Sequence, residues 1–352
     1  MREVLGAIGQ RADVALTVLT PKSGAPAVRE LAGDSLVTLI TPPRSDQISL
    51  GLWDRYRAGA AFERADVEVV IGTKHLVPRT RRPTLLVVHD LLTITRAREN
   101  ALPKRILLPA QYRHSLTDAS ALVAVSAATR SRLEDMDTDW AAKCTVIPNG
   151  MSHRLLAAEA IAPSGIGDRP FALVVGDLSP RKNVRLLTRI WRAAPPAGLT
   201  LVLVGPDSGT DTPVRSELIE LERAGRVVWI RGTGDEQLRW CYEHARVVLF
   251  PTFEEGFGLP LLEATTFHAP VVAGTDAALR EVGGTAAGVR YIDPHDEAGW
   301  RAAISDGAHV SERTTRAPTL PAGAITWEQH TDRLVAAARD LARGTPSPRT
   351  RA

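Results

Sequence analysis

Short apolar runs rich in β-branched residues recur along the chain with helical stretches between them. The first are VALTVLT from Val14, SLVTLI from Ser35, VEVVIGT from Val67, TLLVVHD from Thr84 and ALVAVS from Ala121. Strands alternating with helices predict a parallel sheet. The rhythm restarts after APSGIGDRP at residues 162–170, with FALVVGD, LTLVLVG, VVWIRG, VVLFP and VVAGT. Apolar runs without alternation, such as LLVV and LVLV, suit central strands covered by helices on both faces. The pattern predicts an α/β chain of two domains, 1–165 and 166–325. A last helix spans 326–343, and 344–352 form a disordered tail. The strands end in small or polar residues: Thr20, Gly72, His89 and Asp90, Ser126, Asn149 and Gly150, Gly176, Gly205, Gly232. Ligands bind at the carboxyl ends of such strands, where helix N-termini offer unpaired N–H groups to anions. The expected site therefore lies in the cleft between two domains.

Composition narrows the class. A chain of 352 residues can bury a large core, and 44% hydrophobic with 24% charged residues suits a globular protein. Cys144 and Cys241 have no CxxC spacing, which argues against a disulfide framework or a zinc site. A net charge of +3 from 43 basic and 40 acidic residues is too balanced for a chain built to neutralise a nucleic-acid backbone. No run approaches the length of a membrane span, and MREVLGAIGQR carries no leader-type apolar segment, so the expected location is cytoplasmic. Aspartates alternate in DMDTD at 135–139, but Trp140 and Val146 stand where a calcium loop needs glycine and glutamate, and no metal site is expected.

Residues 247–272, VVLFPTFEEGFGLPLLEATTFHAPVV, read as strand, glycine-rich loop, helix and strand. Gly256, Gly258 and Pro260 forbid a continuous helix between Glu255 and Glu263, so the two carboxylates sit on different elements. Pro260 suits the first helical position, which puts the exposed amides near Leu259 to Leu262 and Glu263 in the first turn. That helix start suits a phosphate. Glu255 can reach hydroxyls ahead of the helix and Glu263 can take a vicinal diol, an arrangement suited to a nucleotide sugar. The plainer alternative is a surface glutamate followed by one that complements the helix dipole. Glu254 reads as solvated, Asp235 and Glu236 as helix openers, and Ser126 and Asn149 as cap and turn former.

EEGFGLPLLEA resembles the signature of retaining glycosyltransferases of family 4, and the resemblance extends over roughly residues 10–340. FALVVGDLSPRKNVRLL at 171–187, LVLVGPDSG from Leu201, DEQLRWCYEHARVVLFP from Asp235 and ITWEQHTDRL from Ile325 fall in the family's order. So do VVHDLL from Val87, ALVAVSAATRSRL from Ala121 and VIPNGMS from Val146. The resemblance implies the GT-B fold, two Rossmann-like domains with parallel sheets facing across a cleft, with the helix over 326–343 packing back toward the first domain. It implies that Glu255 contacts the donor sugar and Glu263 the ribose hydroxyls, while Gly256, Phe257, Gly258, Leu259 and Leu261 line the sugar and phosphates. Arg181 and Lys182 would neutralise the diphosphate, and His89 would bond a donor hydroxyl or phosphate. A departing nucleoside diphosphate gathers negative charge, so fixed cations and helix amides there stabilise the transition state more than the ground state. The plainer readings are an ordinary charged turn for Arg181 and Lys182 and a structural imidazole for His89.

The implied activity is metal-independent, retaining hexosyl transfer with no cofactor, from a nucleotide sugar donor to a saccharide or lipid-linked acceptor in cell-surface glycan or polysaccharide synthesis. A mannose-like sugar and GDP-mannose are favoured. Basic residues Arg79, Arg81, Arg82, Arg96, Arg98, Lys104 and Arg105, with ILLPA ahead of Arg113, suggest peripheral contact with the inner face of the membrane; a solvated surface is the alternative. Three departures stand out. The family begins with a strand and glycine-rich loop ahead of the helix that MREVLGAIGQR represents, so the first domain is expected to lack its first strand. Asp177 stands where arginine is common, and Arg280 where proline is. A catalytically degenerate, glycosyltransferase-like binding subunit is the alternative function.

Overall fold

The computed structural model of the chain describes residues 2–33, 37–40, 57–97, 102–207, 212–284, 288–308 and 316–344. Residues 345–352 of the expected tail, the first two residues of SLVTLI and Arg98 lie outside the described residues. The chain divides into two compact units, Met1–Gly150 with Ile325–Ala352, and Met151–Ala324.

In the first unit β1 (Leu16–Leu19) pairs in parallel with β2 (Val37–Ile40). A second parallel sheet holds β3 (Val70–Gly72), β4 (Thr84–Val88), β5 (Ala121–Ala124) and β6 (Cys144–Val146), in that order. The first described element is the helix Arg2–Gly9, which precedes β1. β4 is buried along its whole length, as its continuous apolar run requires. Leu86 and Val88 share a core with Tyr112, Leu116, Leu133 and Trp140 from the helices around the sheet. Ser126 caps the helix Ala127–Met136, its Oγ accepting the Thr129 N–H at 2.9 Å. Asp137, one of the alternating aspartates, caps Thr138–Ala142 through the Asp139 N–H at 2.9 Å.

The helix Trp327–Ala342 belongs to this first unit. Its capping box pairs the Thr326 N–H with Gln329 Oε1 at 3.0 Å and the Gln329 N–H with Thr326 Oγ1 at 3.3 Å. Trp327, His330, Thr331, Leu334 and Val335 form its buried stripe. The helix packs against Arg2–Gly9, which buries Val4, Leu5 and Ile8. Arg11 pairs with Asp332, and Arg339 with Asp13 at 2.7 Å. Exposed pairs of this kind contribute little; the apolar stripe holds the helix. The returning chain enters through β14 (Ile325–Thr326), which lies beside β7 (Gly150–Met151).

The second unit is one six-stranded parallel sheet: β8 (Phe171–Val175), β9 (Thr200–Val204), β10 (Val227–Ile230), β11 (Val247–Phe250), β12 (Val271–Ala273) and β13 (Val289–Tyr291). Their spatial order is β10-β9-β8-β11-β12-β13. Chain order reverses between β8 and β11, and a crevice opens beyond the carboxyl ends of strands at such a point. The helix Val184–Ala193 buries Leu186, Leu187, Ile190 and Trp191 in a core shared with Leu201, Leu203, Trp300 and Ile304. The Trp191 indole N–H donates to the Leu199 carbonyl at 2.9 Å.

The division between units falls at Gly150 and Met151, not near residue 165. The segment 162–170 lies within the second unit. Ile166 is fully buried, the Ile161 N–H donates to the Glu236 carbonyl at 3.2 Å, and the helix His153–Ala157 packs on Asp235–His244. Arg239 Nη1 reaches the carbonyls of Leu156 and Ala158, both at 2.7 Å.

The contact between β7 and the returning chain leaves no room at Gly150, where a Cβ would lie 2.2 Å from the Trp327 nitrogen and 2.3 Å from the Thr326 carbonyl carbon. Gly150→Ala is expected to destabilise the first unit by about 1–3 kcal/mol through overpacking, read as a lower thermal midpoint. Gly232→Ala, where a Cβ meets nothing within 4 Å, serves as the control and leaves the midpoint unchanged.

Candidate active site

Two loops of the second unit, those following β8 and β11, carry the candidate chemistry. After β8, Asp177 Oδ1 accepts from the Ser179 N–H at 3.2 Å and hydroxyl at 2.7 Å, closing a turn that leads into Pro180–Lys182. Asp177 thus shapes the loop where the family resemblance has a cation. Asn183 follows in the left-handed conformation, φ 51° and ψ 35°, and its buried Nδ2 donates to the Pro294 carbonyl at 3.0 Å. Beneath the loop the ends of β8 and β9 come so close that a Cβ on Gly205 would lie 1.9 Å from the Gly176 carbonyl oxygen.

The loop after β11 is tied to this one by backbone. The Arg181 carbonyl accepts the Phe253 N–H and the Thr252 hydroxyl, each at 2.9 Å. Glu255 is 7% exposed, and its Oε1 takes Arg181 Nη1 and Lys182 Nζ, both at 2.7 Å, with the Thr252 hydroxyl at 3.1 Å. Lys182 Nζ also lies 4.7 Å over the Phe250 ring. Arg181, Lys182 and Glu255 are therefore one cluster, in which two cations share one carboxylate oxygen. A small cavity beside it is lined by Gly176, Asp177, Lys182, Pro251 and Thr252.

Gly256, Phe257 and Gly258 are buried. Gly258 is left-handed, φ 100° and ψ 50°, and a Cβ there would meet Leu279 Cδ2 at 2.7 Å, so the position admits only glycine. The helix runs Leu259–Thr266, with Leu259 first and Pro260 second, which places Glu263 in the second turn and not the first. The Gly258 carbonyl accepts the N–H groups of Leu261 and Leu262 at 3.0 and 3.2 Å, so these amides belong to the helix and not to a ligand. The left-handed cap starts the helix one residue earlier than the proline alone suggests. The Leu261 side chain is fully buried and packs the core.

Glu263 Oε2 accepts the Tyr242 hydroxyl at 2.7 Å. His89 belongs to the other unit, exposed at the carboxyl end of β4. Its Nε2 lies 3.2 Å from the Thr73 carbonyl; a carbonyl only accepts, so Nε2 carries the proton and Nδ1 the lone pair. Protein packed around the ring desolvates it and lowers its pKa below the ordinary imidazole value, with the Thr73 hydrogen bond opposing. Asn183, Thr252 and Tyr242 were not legible as site residues, because the periodicity that marks a buried tyrosine does not say which carboxylate it meets.

Residues 8–154 match the family described as Glycosyltransferase Family 4, and residues 158–306 match Glycosyl transferases group 1. The chain belongs to the group 1 glycosyltransferases. This glycosyltransferase-family chain is 29% identical over 240 residues to O-antigen chain mannosyltransferase B of Escherichia coli, covering 64% of the chain and 61% of that protein. Over 256 residues it is 26% identical to D-inositol 3-phosphate glycosyltransferase of Nocardia farcinica, covering 67% and 55%. The matches thus span less than two thirds of either relative. Among solved structures, WaaG, a glycosyltransferase involved in lipopolysaccharide biosynthesis, aligns with a TM-score of 0.65 at 13% identity over 100% of this chain and 96% of that one. Anabaena HepE in complex with UDP and glucose aligns with a TM-score of 0.63 at 16% identity, over 97% and 92%. The shared fold is GT-B.

Because Glu255 supplies the counter-charge of both cations, its replacement has a defined sign for anion binding. In this glycosyltransferase-family chain Glu255→Gln is expected to tighten inorganic pyrophosphate about tenfold, the ~1.5 kcal/mol of one charge-assisted hydrogen bond. Lys182→Ala is expected to weaken it. Calorimetry at low salt reads both, and an unchanged or weaker affinity for Glu255→Gln would show that the carboxylate does not compete with the anion.

Proposed function

We propose that the chain is a retaining hexosyltransferase that moves a sugar from a nucleoside-diphosphate donor to a saccharide or lipid-linked acceptor in cell-surface glycan assembly. The observation that carries this reading is the convergence of Arg181, Lys182 and Glu255 at the point where chain order reverses in the sheet, with the glycine loop and helix start beside them. As the bond from the sugar C1 to the diphosphate breaks, charge builds on the departing oxygens. Lys182 offers a compact point charge there, Arg181 a planar fork, and the helix start at Gly258 and Leu259 its positive end. These groups supply the charge complement, so no metal or other cofactor enters the proposal. Glu255 turns from the two cations toward the donor sugar, and Glu263 takes the ribose diol. The acceptor hydroxyl attacks C1 on the face the diphosphate leaves, and its proton passes to a diphosphate oxygen, which retains the configuration. Neutral His89, with a lone pair on Nδ1, accepts from a donor hydroxyl.

The mannosyltransferase relatives support a mannose-like sugar, and GDP-mannose is the donor favoured in this proposal. No helix among the described residues is long and apolar enough to cross a membrane. Ile106 and Leu107, exposed beside Arg105 on the helix Leu102–Asp118, support peripheral contact with a membrane's inner face and hence a cytoplasmic site of action.

Incubation with GDP-, UDP- and dTDP-sugars and candidate acceptors, with release of nucleoside diphosphate followed, tests the reading. Lys182→Ala and Glu255→Ala are each expected to slow release by about 10- to 150-fold, as for loss of a charge-assisted hydrogen bond made in the transition state. Thermal stabilisation by a donor without nucleotide release under any acceptor would favour a binding subunit and overturn the enzyme.

A further inference from the structure

We propose that Tyr242 is a positioning residue for Glu263, and that its buried hydroxyl sets the carboxylate against the vicinal diol of the donor's ribose. This inference rests on the proposed function. Tyr242 stands on the helix Asp235–His244, which leads into β11, and its side chain is fully buried. Its ring stacks on Phe267, the residue that ends the helix carrying Glu263, with centroids 5.9 Å apart and planes within 9°. Packing thus fixes where the phenol oxygen lies, and that oxygen is 2.7 Å from Glu263 Oε2.

The direction of the hydrogen bond follows from chemistry. Burial and the neighbouring Glu263 charge push the phenol's pKa well above its ordinary value, so the hydroxyl keeps its proton and donates to the carboxylate. Two other features of the helix do not hold Glu263. It lies in the second turn, beyond the reach of the helix dipole, which fades within the first. The hydroxyls of Thr265 and Thr266 are spent on the carbonyls of Leu261 and Leu262. Arg239, on the tyrosine's helix, is paired with Glu243 at 2.7 Å. A half-buried glutamate has several rotamers, and a rigid donor on one oxygen selects among them before a ligand arrives.

The experiment compares GDP with 2′-deoxy-GDP, and UDP with 2′-deoxy-UDP, by calorimetry on wild type and Tyr242→Phe, with donor KM and kcat measured alongside. Wild type is expected to prefer the ribonucleotide by about tenfold or more, the effect of one charge-assisted hydrogen bond. Tyr242→Phe keeps the ring and is expected to bring the ratio within about threefold, raising donor KM with kcat little changed. A packing role would weaken both nucleotides alike, so a wild-type ratio in Tyr242→Phe overturns the inference and leaves the proposed function standing. Binding of none of these nucleotides to wild type overturns the proposed function and this inference with it. Should Tyr242→Phe fail to fold, 3-fluorotyrosine at position 242 supplies a more acidic phenol in nearly the same volume, and an unchanged ratio then overturns the inference.

Discussion

A buried carboxylate without partners costs several kcal/mol, and Glu255 avoids that cost by holding Arg181 and Lys182 on one oxygen. Much of the second unit's local geometry serves this contact. The loops after β8 and β11 must lie within hydrogen-bond distance, which the Arg181 carbonyl ensures by accepting from both Thr252 and Phe253. The first loop must bend sharply, which Asp177 and left-handed Asn183 accomplish. The ends of β8 and β9 must approach closely, and glycines at 176 and 205 permit it. The cluster is a structural joint between the two loops.

Strand order explains why the joint forms where it does. β8 and β11 are neighbours in the sheet although helices and two other strands separate them in the chain. Their loops leave the sheet at a reversal of chain order, the location at which parallel sheets open a ligand crevice. The helix that begins after Gly258 follows the same loop, and Glu263 in its second turn accepts the Tyr242 hydroxyl.

The first unit is closed differently. Its last helix comes from the far end of the chain and packs an apolar stripe on the helix Arg2–Gly9, so its core includes both ends of the described sequence. Burial, not ion pairing, sets that arrangement, because the pairs of Arg11 and Arg339 with aspartates are solvent-exposed.

The sequence alone determined the α/β class, the two-part organisation, the glycine loop and the separation of Glu255 and Glu263 onto different elements. Each of these rests on a local property: hydrophobic period, or the dihedral limits of glycine and proline. Local rules also explain the errors. A Pro/Gly/Ser stretch marks a turn whether or not a unit ends there, so local pattern puts the division at 165 while the fold places it at Gly150. Proline's preference alone puts the first helical residue at Pro260, whereas the left-handed Gly258, where a Cβ would meet Leu279, starts the helix at Leu259. Tertiary structure alone decided that Arg181 and Lys182 close on Glu255 and that Tyr242 meets Glu263. Those contacts join residues distant in the chain, and which strands become neighbours depends on packing of the whole sheet, which no local pattern encodes.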